Sequence, residues 1–519
     1  MFNLLLCFLS PALAGSISGW SVGLSAPTEP PAAYANAIVP WGTGYAVILD
    51  EQPTIWLWDG ANGWEVLAEV SEEGVALSLA VYDGNLFVGG QLYNTHAVHG
   101  DGDPSALVPE YFSVAWVDFE TSSAPDIIPV LGPCEGGNEC GVAETLLAVE
   151  GQGQWDGVWV GGSGLVMDDL SVQLVAHIVA NTTGGYSGSA NAGLGSEWGG
   201  YPDLNAPRVP AVFALDLGLD PDPLAAPGTL TLVAVGDLLE DGAWGVGRLH
   251  LDAAGEPDTT WPTDLDGDGW ITVEGGFPWE DRCAGDGSRG VGGGDTGALI
   301  CVSSNVLSVA FFQGDLYVGG AFVAAWPDDS EVAVAVPALA VWDGSNWGTV
   351  DDQDEPVLAG STGTYWDLVA GDLLYLISDQ TLLTPRPSTG VVSWDGADVT
   401  SLQGGLHTLD GWGVFVGPEI RATTIDVDGS VLFGGEFTVA GWSNLTAEGP
   451  NTVASLRVAR FDWAAVCPAD LNSDELVNAL DLAQLLAFWG TPGTGDIDGS
   501  GDVDAADLSA LLAYWGDCP

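Results

Sequence analysis

Two stretches near the end of the chain place oxygen-bearing side chains at one repeated spacing. The first runs from Asp470 through Asn472, Asp474, Glu475, Leu476, Val477 and Asn478 to Asp481, then continues LAQLLAFWG. The second runs from Asp496 through Asp498, Ser500, Asp502, Val503 and Asp504 to Asp507, then continues LSALLAYWG. Counted from Asp470 and from Asp496, side-chain oxygens fall at positions 1, 3, 5, 9 and 12. Position 7 offers a backbone carbonyl, from Leu476 and Asp502. Calcium takes six to eight oxygen ligands, and a twelve-residue loop presents these positions inward. Calcium is therefore the cofactor the spacing predicts. The apolar residue at position 8, Val477 or Val503, is expected to tether each loop to a core. Position 12 is expected to open a helix, whose positive N-terminal end suits a carboxylate.

A further loop, Asp264, Asp266 and Asp268 followed by Trp270 and Ile271, matches the first eight positions of the same pattern. Gly275 stands at position 12, and Glu274 lies one residue early. The segment reads either as a third calcium site or as an ordinary acidic turn. His96 and His99, followed by Asp101, read either as a transition-metal cluster or as solvated loop residues, and His177, His250 and His407 as satisfied core or rim histidines. No nucleophile elbow, P-loop or dinucleotide fingerprint occurs. Carboxylate pairs suit glycoside hydrolysis, but 72 acidic residues make such pairs common by chance.

The terminal stretch resembles dockerin modules, which carry two calcium loops, each followed by one helix. The resemblance covers residues 467–519, and the flanking Cys467-Pro and Gly516-Asp-Cys518 look like the ends of GC-type dockerins. It implies calcium ligands Asp470, Asn472, Asp474, Asn478 and Asp481, then Asp496, Asp498, Ser500, Asp504 and Asp507. It also implies a cohesin-like protein or surface component as partner. Three features depart from the pattern, one being Ser500, a hydroxyl where a carboxylate is commoner. Glu475 replaces the glycine of the sharp turn, where a side chain is unfavourable. The usual recognition positions hold Ala479-Leu480 and Ala505-Ala506, which supply no polar code. A calcium-stabilised cap without a partner is the alternative.

The larger region in front of this tail is built from a different repeat. An apolar strand leads to a turn and then to a second apolar strand ending in Gly-Gly, as in LAVYDGNLFVGG, VAFFQGDLYVGG and IDVDGSVLFGG. A further strand closing in an aromatic residue and Asp follows several of these, as in ALAVWDGSNW and VVSWDG. Alternating Val, Leu, Tyr and Trp suit short pleated strands, and Asp-Gly supplies hairpin turns. Such units cannot bury both faces alone and must stack. The pattern predicts a mainly β fold, a β-propeller of six to eight blades with seven as the best count. β-sandwich domains are the rival arrangement. Units are expected to begin near Ala37, Leu77, Thr145, Leu230, Leu307, Leu368 and Thr424, with surface loops over 184–210 and 256–296. The repeat resembles the kelch class and related bacterial propeller repeats, although the later Tyr and Trp of that class do not keep register. Trp58, Trp342 and Trp394 recur at equivalent positions and read as core. Trp198, Trp261 and Trp279, in insertions, read as packing or as sugar-stacking residues.

Eight basic residues oppose 72 acidic ones, a net charge of −64. Nucleic acid requires a basic footprint, so it is excluded as a partner. Residues 1–14 form a short apolar run ending in Ala-Leu-Ala and read as a signal peptide. No later apolar run is long enough for a membrane span. Beyond the leader, six cysteines form three local groups: Cys134 and Cys140, Cys283 and Cys301, Cys467 and Cys518. Locality favours those disulfide pairs among the 15 connectivities possible for six cysteines. The expected organisation is a signal peptide at 1–14, a propeller-like domain at 15–466 and a dockerin-like domain at 467–519. The expected product is a secreted or cell-surface protein whose propeller binds a glycan or protein. A polysaccharide-active hydrolase or lyase and a structural surface-layer component are the competing readings.

Overall fold

The computed structural model describes residues 20–21, 34–58, 63–71, 73–94, 110–119, 125–132, 141–166, 172–180, 185–195, 211–240, 243–251, 270–272, 305–322, 324–325, 334–335, 338–352, 355–356, 364–382, 388–397, 399–402, 405–409, 415–416, 418–426, 428–441, 453–454, 457–462, 469, 471, 476–491, 495, 497, 503–513 and 515–517. The structure is mainly β, a seven-bladed propeller with two short helices at its C-terminal end. Each blade is a four-stranded antiparallel sheet. The innermost strands are Ala35–Trp41, Glu73–Tyr82, Val142–Val149, Ala211–Leu219, Asn305–Phe312, Tyr365–Ala370 and Glu419–Ile425, for blades 1 to 7 in order. Each of these strands neighbours the next around the ring, and the strand of blade 7 returns to that of blade 1.

The first six blades are continuous in sequence, whereas the seventh is completed from the other end of the chain. Its outermost strand is Trp20–Ser21, paired antiparallel to Arg460 and Phe461. Trp20 is fully buried between Phe433 and Phe461, with ring centroids 5.7 and 4.9 Å away. Its indole N–H donates to the Leu402 carbonyl of blade 6 at 2.7 Å. The closing strand is therefore held by packing and a satisfied buried donor as well as by two residues of pairing. A ring also removes the open sheet edges that a row of blades would leave.

The glycine doublets explain themselves in this geometry. In blades 2, 3, 5 and 7 the doublet lies within the second strand, opposite an irregular point in the innermost strand. A Cβ on Gly90, Gly162 or Gly435 would lie 2.0–2.1 Å from a backbone carbonyl oxygen of the innermost strand. A Cβ on the first glycine would meet the next blade as well as a side chain of its own innermost strand. At Gly161 it would lie 2.6 Å from Val212, and at Gly319 2.9 Å from Tyr365. At Gly434 it would lie 3.0 Å from Ala35 of blade 1. One glycine admits the neighbouring blade and the other admits its own innermost strand.

The count of seven blades agrees with the expectation, but one boundary does not. The fourth blade starts at Ala211, and Leu230–Glu240 is its second strand. Its doublet position reads Val235-Gly236, so the usual marker is half missing there. Parts of both expected loops are outer strands, Tyr186–Gly195 of blade 3 within 184–210 and Trp270–Thr272 of blade 4 within 256–296. Trp342 and Trp394 end third strands and are buried, while Trp58, at the same position, is half-buried. Trp198, Trp261 and Trp279 lie outside the described residues. Among the described residues no helix is long and apolar enough to cross a membrane.

Gly162→Ala forces a Cβ to 2.0 Å from the Val142 carbonyl, while Gly348→Ala meets nothing closer than 3.7 Å. Chemical denaturation is expected to show a loss of roughly 1–3 kcal/mol for the first and under about 1 kcal/mol for the second.

Candidate functional site

All seven innermost strands begin at one end of the channel, and near that start each carries one extra residue. In blade 2, Ala76 pairs with Gly90 and Ser78 with Gly89, so Leu77 has no partner of its own. The same one-residue bulge falls at Asn36, Glu144, Phe213, Leu307, Trp366 and Arg421. A bulge breaks the alternation that sends successive side chains to opposite faces of a sheet. The residues before the bulges, from Ala35 and Ala76 to Tyr365 and Ile420, are buried between blades. The bulged residues are not fully buried in any blade, and Trp366 is 48% exposed. The sheet geometry thus supplies a ring of seven positions at the channel mouth that packing does not consume.

That ring is uneven in character. Phe213, Leu307 and Trp366 occupy three consecutive blades and make one side apolar. Arg421 and Asn36 follow on blades 7 and 1, and Glu144 lies on blade 3. The turn after the second strand of blade 1 brings Glu51 to the polar side, with backbone φ of 53° at Asp50 and 56° at Glu51. Arg421 Nη1 is 3.0 Å from Glu51 Oε1, and Nη2 is 2.7 Å from Glu419 Oε1. The guanidinium carbon sits 4.1 Å from the centroid of the Tyr34 ring. The Glu51 carbonyl also accepts from the Ala76 N–H at 3.0 Å, so one turn links blades 7, 1 and 2. Burial pushes the Glu144 carboxyl above its usual range, and the Glu51 charge adds to the shift.

Two half-buried carboxylates lie further along the innermost strands. Asp216 accepts from the Phe311 N–H of the next blade at 2.7 Å and from the Leu217 N–H at 2.9 Å. Burial nevertheless raises it to about 6, the same value that burial gives Asp367 beside Trp366. His177, His250 and His407 are all buried. His177 stacks on Trp159 at 4.0 Å, and burial lowers it to about 4. His250 is buried against Asp220, which also holds Arg248 at 3.0 Å. His407 is buried too, and His96 and His99 lie outside the described residues.

The tail forms a second, smaller arrangement with an internal repeat. Helix α1 is Ala479–Ala487 and helix α2 is Ala505–Ala513. Asp481 is fully buried and accepts from the Leu471 N–H and the Asn478 N–H, both at 2.8 Å. Asp507 is fully buried and accepts from the Ile497 N–H and the Asp504 N–H, both at 2.7 Å. Every partner is shifted by 26 residues, so the two halves share one geometry. Asn478 and Asp504 cap their helices by accepting from Leu480 and Ala506. Val477, Leu485, Val503 and Leu511 form the core between the halves.

Asp470, Asn472, Asp474, Asp496, Asp498, Ser500 and Asp502 lie outside the described residues, as do Asp264, Asp266, Asp268 and Glu274. The six cysteines Cys134, Cys140, Cys283, Cys301, Cys467 and Cys518 do as well. Leu476 pairs with Asp517 in a two-residue strand that joins loop one to the chain end. Sequence reading missed the channel-mouth residues Glu51, Glu144, Trp366 and Arg421. Their only trace is a buried residue on the near side of one free choice, as in Ala143-Glu144-Thr145 and Tyr365-Trp366-Asp367, and it appears only once the blades are superposed on their strands.

No family model matches the chain, and no curated protein does. Solved structures that resemble it include the WD40 β-propeller domain of Doa1, at 11% identity and a TM-score of 0.39 over 85% of this chain and 96% of that one. YCF48 from Cyanidioschyzon merolae aligns at 9% identity and 0.38, over 85% and 98%. An ulvan lyase of polysaccharide lyase family PL25 aligns at 11% identity and 0.36, over 85% and 97%. The propeller assignment rests on the seven paired blades themselves.

Because its folded value is raised, Asp216 contributes stability below the ordinary carboxylate range and loses it as the pH rises through about 6. The melting temperature is expected to rise between pH 7.5 and pH 5. The rise should be smaller in Asp216→Asn, whose side chain does not titrate; equal slopes would contradict the assignment.

Proposed function

We propose that this chain is an exported binding protein. Its propeller takes a ligand at the channel mouth, and its calcium-loaded, dockerin-like tail attaches it to a cell surface or an extracellular complex. The observation that carries the binding reading is the Arg421 cluster. Glu51 and Glu419 are both held in ion pairs by one guanidinium, so they serve as fixed hydrogen-bonding groups rather than as a free acid and base. An exposed Trp366 on the next blade adds a stacking surface.

The tail reading is supported by the matched environments of Asp481 and Asp507. Burying a charged carboxylate is costly, and a hard cation held by oxygens suits it. Asn478 and Asp504, at the ninth position of each loop, and Asp481 and Asp507, at the twelfth, would hold calcium together with the loop oxygens. Bound calcium would supply the charge that closes each loop onto its helix. Attachment is supported by apolar side chains left in solvent at repeated positions: Leu486 in the last turn of α1 with Trp489 just beyond it, and Leu512 in the last turn of α2 with Trp515 just beyond it. Whether the partner is cohesin-like or a surface component is part of the same proposal, and the third loop at Asp264 is proposed as a further calcium site.

One observation favours a polysaccharide-active enzyme instead. Glu144 is raised and lies within reach of the charge on Glu51 from another blade, as an acid and a base of unequal affinity would be. Turnover of a polysaccharide that disappears in Glu144→Gln would establish that reading; binding without turnover would exclude it.

Calcium is expected to stabilise the tail by about 2.7 kcal/mol at a hundredfold excess over its dissociation constant. Calorimetric titration of the full chain should show at least two sites, with one lost in Asp481→Ala and one in Asp507→Ala. An absence of calcium binding would sink the tail assignment.

A further inference from the structure

The ring at the channel mouth also constrains the chemistry of its ligand. Among the described residues the mouth carries Glu51, Glu144 and Glu419 against one cation, Arg421, on a chain whose net charge is −64. Such a field opposes the approach of sulfated, phosphorylated or uronate-rich ligands. A strongly cationic ligand is not favoured either. Two of the three acids are already paired with Arg421, and the third is shifted toward its neutral form. What remains is a surface with two unlike sides. Phe213, Leu307 and Trp366 form the apolar side, and Arg421, Glu51 and Asn36 form the polar one.

Sugar rings have the matching form. Their axial C–H groups make an apolar face, and their hydroxyls both donate and accept at the edge. A guanidinium offers five N–H donors and carboxylates only accept, while an amide does both. Held by two carboxylates and the Tyr34 ring, Arg421 loses little further side-chain freedom on meeting a ligand. Resting on the binding reading above, we propose that the channel mouth binds a neutral glycan, with Trp366 stacking on a sugar ring and Arg421, positioned by Glu51 and Glu419, hydrogen-bonding its hydroxyls.

The test is calorimetric titration of the full chain with neutral gluco-, xylo-, manno- and galacto-oligosaccharides, and with uronate-containing and sulfated counterparts. At least one neutral series is expected to bind more tightly than any charged one. Trp366→Ala and Arg421→Gln should each weaken that binding at least tenfold. Both side chains are partly or largely exposed, so thermal melting should confirm that both variants fold. Leu224→Ala, in an exposed turn at the far end of the innermost strand of blade 4, should bind as the parent does. The proposal is overturned if charged glycans bind better, if no neutral glycan binds, or if neutral binding ignores both mouth variants. A protein ligand lost on Trp366→Ala would overturn the glycan assignment yet leave the binding propeller standing. Retention of every bound ligand in both variants would overturn both.

Discussion

A backbone carbonyl occupying the space of a missing Cβ is the constraint on which the propeller depends. At Gly90, Gly162, Gly236 and Gly435 the innermost strand comes so close that any side chain would strike its oxygen at 2.0–2.1 Å. That approach is possible only because the innermost strand bulges there by one residue. The first glycine of a full doublet then lets the next blade close in, and at Gly434 that next blade is the first one. The ring is thus closed twice, once by this contact and once by Trp20 buried in the seventh sheet.

The same bulges create the functional surface. A regular strand would commit every side chain to one neighbouring blade or the other, and core packing tolerates little variation. The extra residue escapes that commitment, so the fold can place Asn, Leu, Glu, Phe, Leu, Trp and Arg at seven equivalent points without disturbing the blades. A costly feature of the sheet thereby becomes a place where chemistry varies freely. The turn at Asp50 and Glu51, with both residues in the left-handed region, extends this surface by pinning the Arg421 guanidinium from a separate blade.

The tail follows a different logic. Its two halves repeat one device: a buried carboxylate gathers the N–H of loop position 2 and the N–H of position 9, while the ninth residue caps the helix. Neither half has an adequate core alone. Val477 and Leu485 pack against Val503 and Leu511, so each loop is stabilised through the other's helix. The outward apolar residues Trp489 and Trp515 are likewise related by the 26-residue repeat, which gives the module two similar exposed surfaces.

What the sequence determined by itself was whatever local periodicity encodes. Alternating strands, Gly-Gly doublets and aromatic-Asp turns announce a stacked β repeat, and the 26-residue spacing of Asp481 and Asp507 announces paired loops, because each signal lies within a few consecutive residues. The fourth blade's start was misplaced at Leu230 because Val235-Gly236 carries only half of its marker. Only the tertiary structure decided which residues share the channel mouth. Glu51, Glu144, Trp366 and Arg421 come from four blades spread over most of the chain, and nothing in their local sequence links them. They meet because strand register sets where each bulge falls, and ring closure then brings the seven bulges to one end of a single channel.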